Sequence, residues 1–245
     1  MPDERNYEER ERKGVLWEIF NLLTLTGFLY GFLDERLRFR EAVEKQLNKP
    51  VPTYRTWIEN NFLACLGGLS FVLFMIQMVT GVLLLMYYRP TVNGAFESVV
   101  EITNVVPFGW LIRGVHHWAA NLMILTVIMH MFKVFFTGAY KPPRDLHWVS
   151  GVILFILTLL LGFSGYLLPW TQLSYWATTV GTESLGAVPF IGEQLKFFVR
   201  GGPQVGQLAL TRFFALHVVI LPGLTIFFLF SHFLMIRRVG ISEPL

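Results

Sequence analysis

The chain has 245 residues, of which 53% are hydrophobic and 15% charged, with a net charge of +3 and a mean hydropathy of +0.51. So little charge on so long a chain excludes a soluble globular domain and a nucleic-acid partner, and the basic excess instead records loops on one side of a membrane and contact with lipid headgroups. A single cysteine, Cys65, excludes an internal disulfide framework, and the chain has neither a CxxC zinc pair nor a CxxCH attachment motif.

From the N-terminus, a mixed-charge head precedes Val15 to Leu33, nineteen residues in which only Glu18 is ionisable. As a helix this stretch would be about 28 Å long, barely the thickness of a bilayer core. It reads as an interfacial or peripherally packed helix continuing into the charged amphipathic stretch Asp34 to Gln46. The alternative is a span, which would move the N-terminus across the membrane and leave the rest unchanged. A cleavable signal peptide does not fit, because no small-residue cleavage site follows and the head is as acidic as it is basic. Residues 1–58 are therefore read as an N-terminal extension with amphipathic helices, and 59–245 as a membrane domain.

Spanning helices are expected at about 62–88, 115–136, 148–168 and 213–236. Arg89-Pro90, Lys141-Pro142-Pro143-Arg144, Pro169 and Arg237-Arg238 end them. The connection between the third and fourth is too long for a turn, and Trp170, Tyr175 and Trp176 suit an interfacial helix there. The fold class is an all-α membrane protein, a bundle of four transmembrane helices with N-terminal interfacial helices.

His116 and His130 lie fourteen residues apart on the second span, and His217 and His232 fifteen apart on the fourth. Fourteen helical residues rise about 21 Å and return to within roughly 40° of the starting face, and fifteen land within roughly 60°. Alternating spans run the second and fourth helices in the same direction, which sets His116 level with His217 and His130 level with His232. A lone mid-bilayer histidine is as readily a packing residue or a proton relay, but four in register read as two bis-histidine haem sites, closed to oxygen and suited to passing electrons. His117 points to another face, and His147 reads as an ordinary interfacial histidine.

Gly67 and Gly81, and Gly151 and Gly165, repeat the spacing of fourteen, as side-chain-free walls for flat macrocycles would; close helix packing is the plainer alternative. Arg113 and Arg212 precede His116 and His217 closely enough to partner haem propionates, or to snorkel to the interface. Eleven basic residues fall on the side of Arg36 to Arg55, Lys141, Arg144 and the C-terminus, against five on the other. The first is then the cytoplasmic, negative side, carrying the C-terminus, and His116 and His217 lie toward the positive side.

Several strings carry a resemblance: Cys65-Leu66-Gly67-Gly68, Tyr87-Tyr88-Arg89-Pro90-Thr91-Val92, Phe108-Gly109-Trp110-Leu111-Ile112-Arg113, Gly165-Tyr166-Leu167-Leu168-Pro169-Trp170, Thr211-Arg212-Phe213 and Met235-Ile236-Arg237-Arg238. From about Cys65 to Leu245 the chain resembles b6-type cytochrome b, the N-terminal half-subunit of Rieske/cytochrome b complexes. The resemblance implies haem b iron held by His116 and His217 on the positive side and by His130 and His232 on the negative side. It also implies a further c-type haem attached through Cys65, and a place for Arg237 near a negative-side quinone site or a haem propionate.

The implied activity is that of a quinol:cytochrome c or plastocyanin oxidoreductase subunit, coupling quinol oxidation to proton translocation in a bacterial inner or thylakoid-type membrane. The implied partners are a subunit IV-like chain with the remaining cytochrome b helices, a Rieske iron–sulfur protein and a c-type cytochrome, in a dimeric complex. The Pro-Glu-Trp-Tyr quinol-site motif is absent and the chain stops after four spans, so it is not expected to turn over alone. Thr171 replaces the acidic residue that follows Pro-Trp in the family. The rival readings are a dihaem membrane anchor of a dehydrogenase or hydrogenase, which would lack Cys65-Leu66-Gly67-Gly68 and the long third connection, and a haem-free transporter with a histidine relay.

Overall fold

The computed structural model describes residues 65–240, and among them every regular element is helical. The N-terminal extension, including Val15 to Leu33 and Asp34 to Gln46, and the last five residues lie outside the described residues. In chain order the helices are α1 (Leu66–Leu85), α2 (Ala95–Asn104), α3 (Gly109–Phe136), α4 (Asp145–Leu167), α5 (Gln172–Glu183), α6 (Gly192–Arg200), α7 (Gln207–Ala215) and α8 (Leu221–Val239). A five-residue π turn, Leu216–Ile220, joins α7 to α8, so that Gln207–Val239 runs as one long rod.

Among the described residues four helices are long and apolar enough to cross a membrane: α1, α3, α4 and the α7–α8 rod. Their outward faces carry large exposed apolar side chains such as Val79, Leu125, Ile156 and Phe227, the pattern expected where lipid is the solvent. The 28 residues of α3 begin at Gly109, six before the expected start. The cause is local: Phe108 turns the chain in the left-handed region, and a Cβ on Gly109 would overlap the Ile102 carbonyl of α2, so only glycine lets α3 start this close to α2.

The bundle is built from two helix pairs. α1 packs along α3 around Leu73, Phe74, Ala119 and Met123, and α4 packs along α8 around Leu157, Leu161 and Leu221. A third apolar cluster ties the α1–α2 turn to the start of the last rod, with Ala95, Leu167, Val205, Ala209, Leu210 and Phe213 at its centre. Polar contacts fix the same junction. Tyr88 donates its hydroxyl proton to the Leu168 carbonyl at 2.7 Å, and burial raises its pKa well above the usual phenol range. Gln207 accepts from the Val92 N–H at 2.9 Å and donates to the Pro90 carbonyl at 3.0 Å.

The connection from α4 to α7 folds into the short helices α5 and α6. Thr171 starts α5 as its N-cap, accepting from the Ser174 N–H at 3.2 Å, and Trp170, Tyr175 and Trp176 stack edge to face in sequence. Arg200, only 4% exposed, holds the two helices together by donating to the Thr182 hydroxyl and the Thr179 carbonyl at 2.6 Å each and to Glu183 at 2.8 Å. Replacing Arg200 with Met is expected to cost about 2–4 kcal/mol from the lost bonds to Thr182 and Thr179, read as a lower melting temperature in detergent.

Hydrogen bonds from Lys196 and then Arg200 hold the Glu183 carboxyl below its usual pKa of 4.5. A depressed carboxylate contributes stability above that value and loses it as pH falls through the lower folded one. Acidification below about pH 4.5 is therefore expected to lower the melting temperature of the wild type more than that of Glu183→Gln.

Candidate functional site

The four histidines reach the interior from the two helix pairs, His116 and His130 from α3, His217 from the π turn and His232 from α8. The His116 and His217 rings face each other across the bundle with centroids 6.4 Å apart and planes inclined by 74°. Two imidazoles sharing one metal through bonds of about 2.0 Å, with ring centres about 1.2 Å behind each nitrogen, would stand about 6.4 Å apart. At the other end His130 and His232 lie within electrostatic reach of each other. Among the described residues no group of three or more His, Cys, Asp or Glu could hold a metal ion by itself, so a metal at either histidine pair would have to bring further ligands of its own, as a haem iron does.

What the structure sets against each of the four spaced glycines is an imidazole. A Cβ built on Gly165 would lie 2.5 Å from His217 Cε1, on Gly67 3.1 Å from His130 Cε1, on Gly81 3.4 Å from His116 Cε1 and on Gly151 3.7 Å from His232 Cε1. The repeat of fourteen in the glycines is therefore the repeat of the histidines seen from the facing helix. Each helix pair is closed by two such contacts, Gly81 with His116 and Gly67 with His130 in one, Gly165 with His217 and Gly151 with His232 in the other.

Immediately before three of these glycines stands a hydroxyl, and it meets the same ring. Thr80 Oγ1 lies 2.8 Å from His116 Nδ1, Ser150 Oγ 2.8 Å from His232 Nδ1 and Ser164 Oγ 3.1 Å from His217 Nδ1. Before Gly67 the residue is Leu66. The sequence reading missed these hydroxyls; the signal was available as Thr80-Gly81, Ser150-Gly151 and Ser164-Gly165.

The unequal histidine spacings of fourteen and fifteen are reconciled by the π turn. Leu221 donates its N–H to the Leu216 carbonyl, five residues back rather than four, which takes up one residue between His217 and His232. Pro222 supplies the reason: without an N–H it cannot bond the carbonyl four residues earlier, and its ring would clash there in a regular helix.

Of the other candidates, Arg212 has one guanidinium nitrogen, Nη1, buried without a hydrogen-bond partner. Its guanidinium lies over the Phe198 ring at 5.4 Å and lines a cleft of about 580 Å³ with Glu193, Lys196 and Pro203. Arg113 is exposed and lines a smaller cleft of about 230 Å³ with Phe96, Pro169 and Thr171. Cys65 is exposed at the start of α1, two residues before the glycine that faces His130. Arg237 is exposed in the last turn of α8.

His117 is exposed against Trp118, away from the paired rings. His147 differs from an ordinary interfacial histidine, which would keep its nitrogens in water. Both of its ring nitrogens are buried without a hydrogen-bond partner, and its centroid lies 6.2 Å from that of His232.

Comparison with known proteins shows what the chain is similar to. The family model described as cytochrome b/b6/petB matches residues 54–240. A cytochrome b6 from Synechococcus sp. (strain JA-3-3Ab) is 48% identical over 217 residues, covering 89% of this chain and 99% of the relative. A cytochrome b6 from Heliobacterium mobile is 49% identical over 216 residues, 88% of this chain and 100% of the relative. Among solved structures, a chain of a hyperthermophilic respiratory complex III superposes with a TM-score of 0.77 at 35% identity. That match covers 87% of this chain, which spans 56% of the other's length.

Proposed function

The chain belongs to the cytochrome b/b6 family, and from that premise we propose that it is the haem-carrying membrane subunit of a quinol oxidoreductase, with His116 and His217 holding one haem b and His130 and His232 the other. The observation that carries the reading is the His116–His217 pair, two rings from different helices at 6.4 Å. The fit extends to the side chains around them. Glycine on the facing helix lets each ring lie against backbone, and the buried, unpartnered Nη1 of Arg212 is a donor suited to an anionic propionate.

When bound, two haems would supply the one-electron couples that transfer across the membrane needs. The chain's own residues do the rest. Two imidazoles at each site would leave an iron no open place for oxygen, and the apolar lining from Leu73, Phe74 and Met123 in one pair and Leu157 and Leu161 in the other keeps water from the span between the sites. The basic residues gathered on the side of Lys141, Arg144, Arg237 and Arg238 support assigning His130 and His232 to the negative side by the positive-inside rule.

Quinol would be oxidised at the positive side beside partner subunits, a Rieske protein and the chain completing cytochrome b, with a c-type cytochrome or plastocyanin as acceptor. The Arg113–Thr171 cleft is offered as part of this chain's wall there, and Arg237 as a group near the negative-side quinone. Cys65 is proposed to carry a further haem by one thioether bond, on family resemblance and on its exposed position beside the His130 end.

A reduced-minus-oxidised spectrum of the purified complex is expected to show b-type bands, and their absence would end the assignment. Haem staining of the denatured chain is expected to be positive in the wild type and negative in Cys65→Ser, with the b bands retained; stain persisting in Cys65→Ser would remove the covalent site.

A further inference from the structure

Each hydroxyl before a wall glycine is already committed as a donor. Thr80 gives its proton to the Ile76 carbonyl at 2.7 Å, Ser150 to the His147 carbonyl at 2.9 Å and Ser164 to the Leu161 carbonyl at 3.2 Å. A hydroxyl has one proton, and a carbonyl can only accept. Toward the facing Nδ1 each oxygen is then placed to accept, beside the Leu161 carbonyl at His217 and the His147 carbonyl at His232, an arrangement that favours the imidazole proton on Nδ1 and leaves the Nε2 lone pair free.

The fourth quadrant is built differently. Leu66, fully buried, occupies the position of the hydroxyl. The hydroxyls one turn along, Ser70 and Thr126, bond each other across α1 and α3 at 2.9 Å, and Thr126 donates to the Met123 carbonyl at 3.1 Å. Among the described residues no hydrogen bond reaches the His130 ring.

Building on the haem assignment above, we propose that Thr80, Ser164 and Ser150 are positioning residues that hold the imidazole protons of His116, His217 and His232 on Nδ1 and so tune the potential of the haem each ring would ligate. A ligand imidazole whose N–H is accepted by an oxygen is a stronger electron donor through its other nitrogen, and favours the ferric state. The His116/His217 site has two such ligands and the His130/His232 site has one. Each such bond is expected to lower the potential of its own haem.

The test is an equilibrium redox titration of each b haem in the purified complex, beside a pyridine haemochrome assay of haem content. Thr80→Val and Ser164→Ala are each expected to raise the midpoint potential of the His116/His217 haem alone. The effect should be on the order of a tenfold shift in its oxidised-to-reduced ratio, which is 59 mV for a one-electron couple. Ser150→Ala should move only the other haem, and Thr80→Ser should restore the wild-type value. Thr158→Val is the control, because that buried hydroxyl bonds only the Leu154 carbonyl, at 2.9 Å.

Shifts no larger than the control's, or shifts in the wrong haem, would overturn the assignment of the hydroxyls while leaving the haem ligands in place. A wild-type complex without b haems would overturn the functional reading and this inference with it.

Discussion

Gly165→Ala is expected to lose one of the two b haems and keep the other. The added Cβ would sit 2.5 Å from His217 Cε1 and 3.1 Å from both ring nitrogens, closer than packed side chains approach. The ring has little room to yield, because Ser164 engages its Nδ1 at 3.1 Å and its backbone lies in the π turn. Displacing one axial ligand opens a bis-histidine site, so noncovalent haem per chain should fall from about two toward one, at about a tenfold to hundredfold loss of affinity.

Gly151→Ala is the matched comparison, since its Cβ would meet His232 Cε1 at 3.7 Å, an ordinary contact. That variant should retain both haems. Equal haem content in the two variants would show that the glycines are not what admits the rings.

The second large effect concerns register. Deleting Leu125, which is 52% exposed, shortens the interval from His116 to His130 to thirteen residues in a regular helix and swings one ring about 100° from its partner. Loss of at least one b haem is the expected spectrum. Deleting Val219, 67% exposed, together with Pro222→Ala should do far less, because it removes the residue that the π turn absorbs and the proline that requires the turn. The fourth rod then becomes a plain α-helix with its histidines fourteen apart, and both haems should remain. If both deletions cost haem equally, the π turn is not what reconciles the spacings.

Much of this site was legible from spacing, since helical periodicity is a property of the chain. The histidine faces, the cross-helix pairing by parity and the glycine repeat all follow from counting at 100° per residue. What counting misses is whatever depends on contact across the bundle. Ser150 and His232 are 82 residues apart and Thr80 and His116 are 36 apart, and in sequence each hydroxyl is only a small polar residue in an apolar helix. The fifteen-residue interval looked like a poorer match than it is, because a π turn is a backbone event, and Pro222 was the one trace it left in the sequence. The early start of α3 was hidden for the same reason, since it depends on Gly109 fitting under the Ile102 carbonyl. His147 read as interfacial because its position at a loop edge gives no sign of the cover over its nitrogens.

The pairing of α1 with α3 and of α4 with α8 also bears on how the molecule is assembled. Each pair is a hairpin that can form as its own stretch of chain enters the bilayer, yet each carries only one imidazole of either proposed haem site. On the proposed ligand set neither hairpin would bind haem by itself, and affinity would appear only when the two have docked. The cofactors would then act as clasps between independently inserted halves, drawing the docked state out of an equilibrium with the separated one. Starving cells of haem should leave the hairpins inserted but apart, exposed to membrane proteases at the segment that joins them.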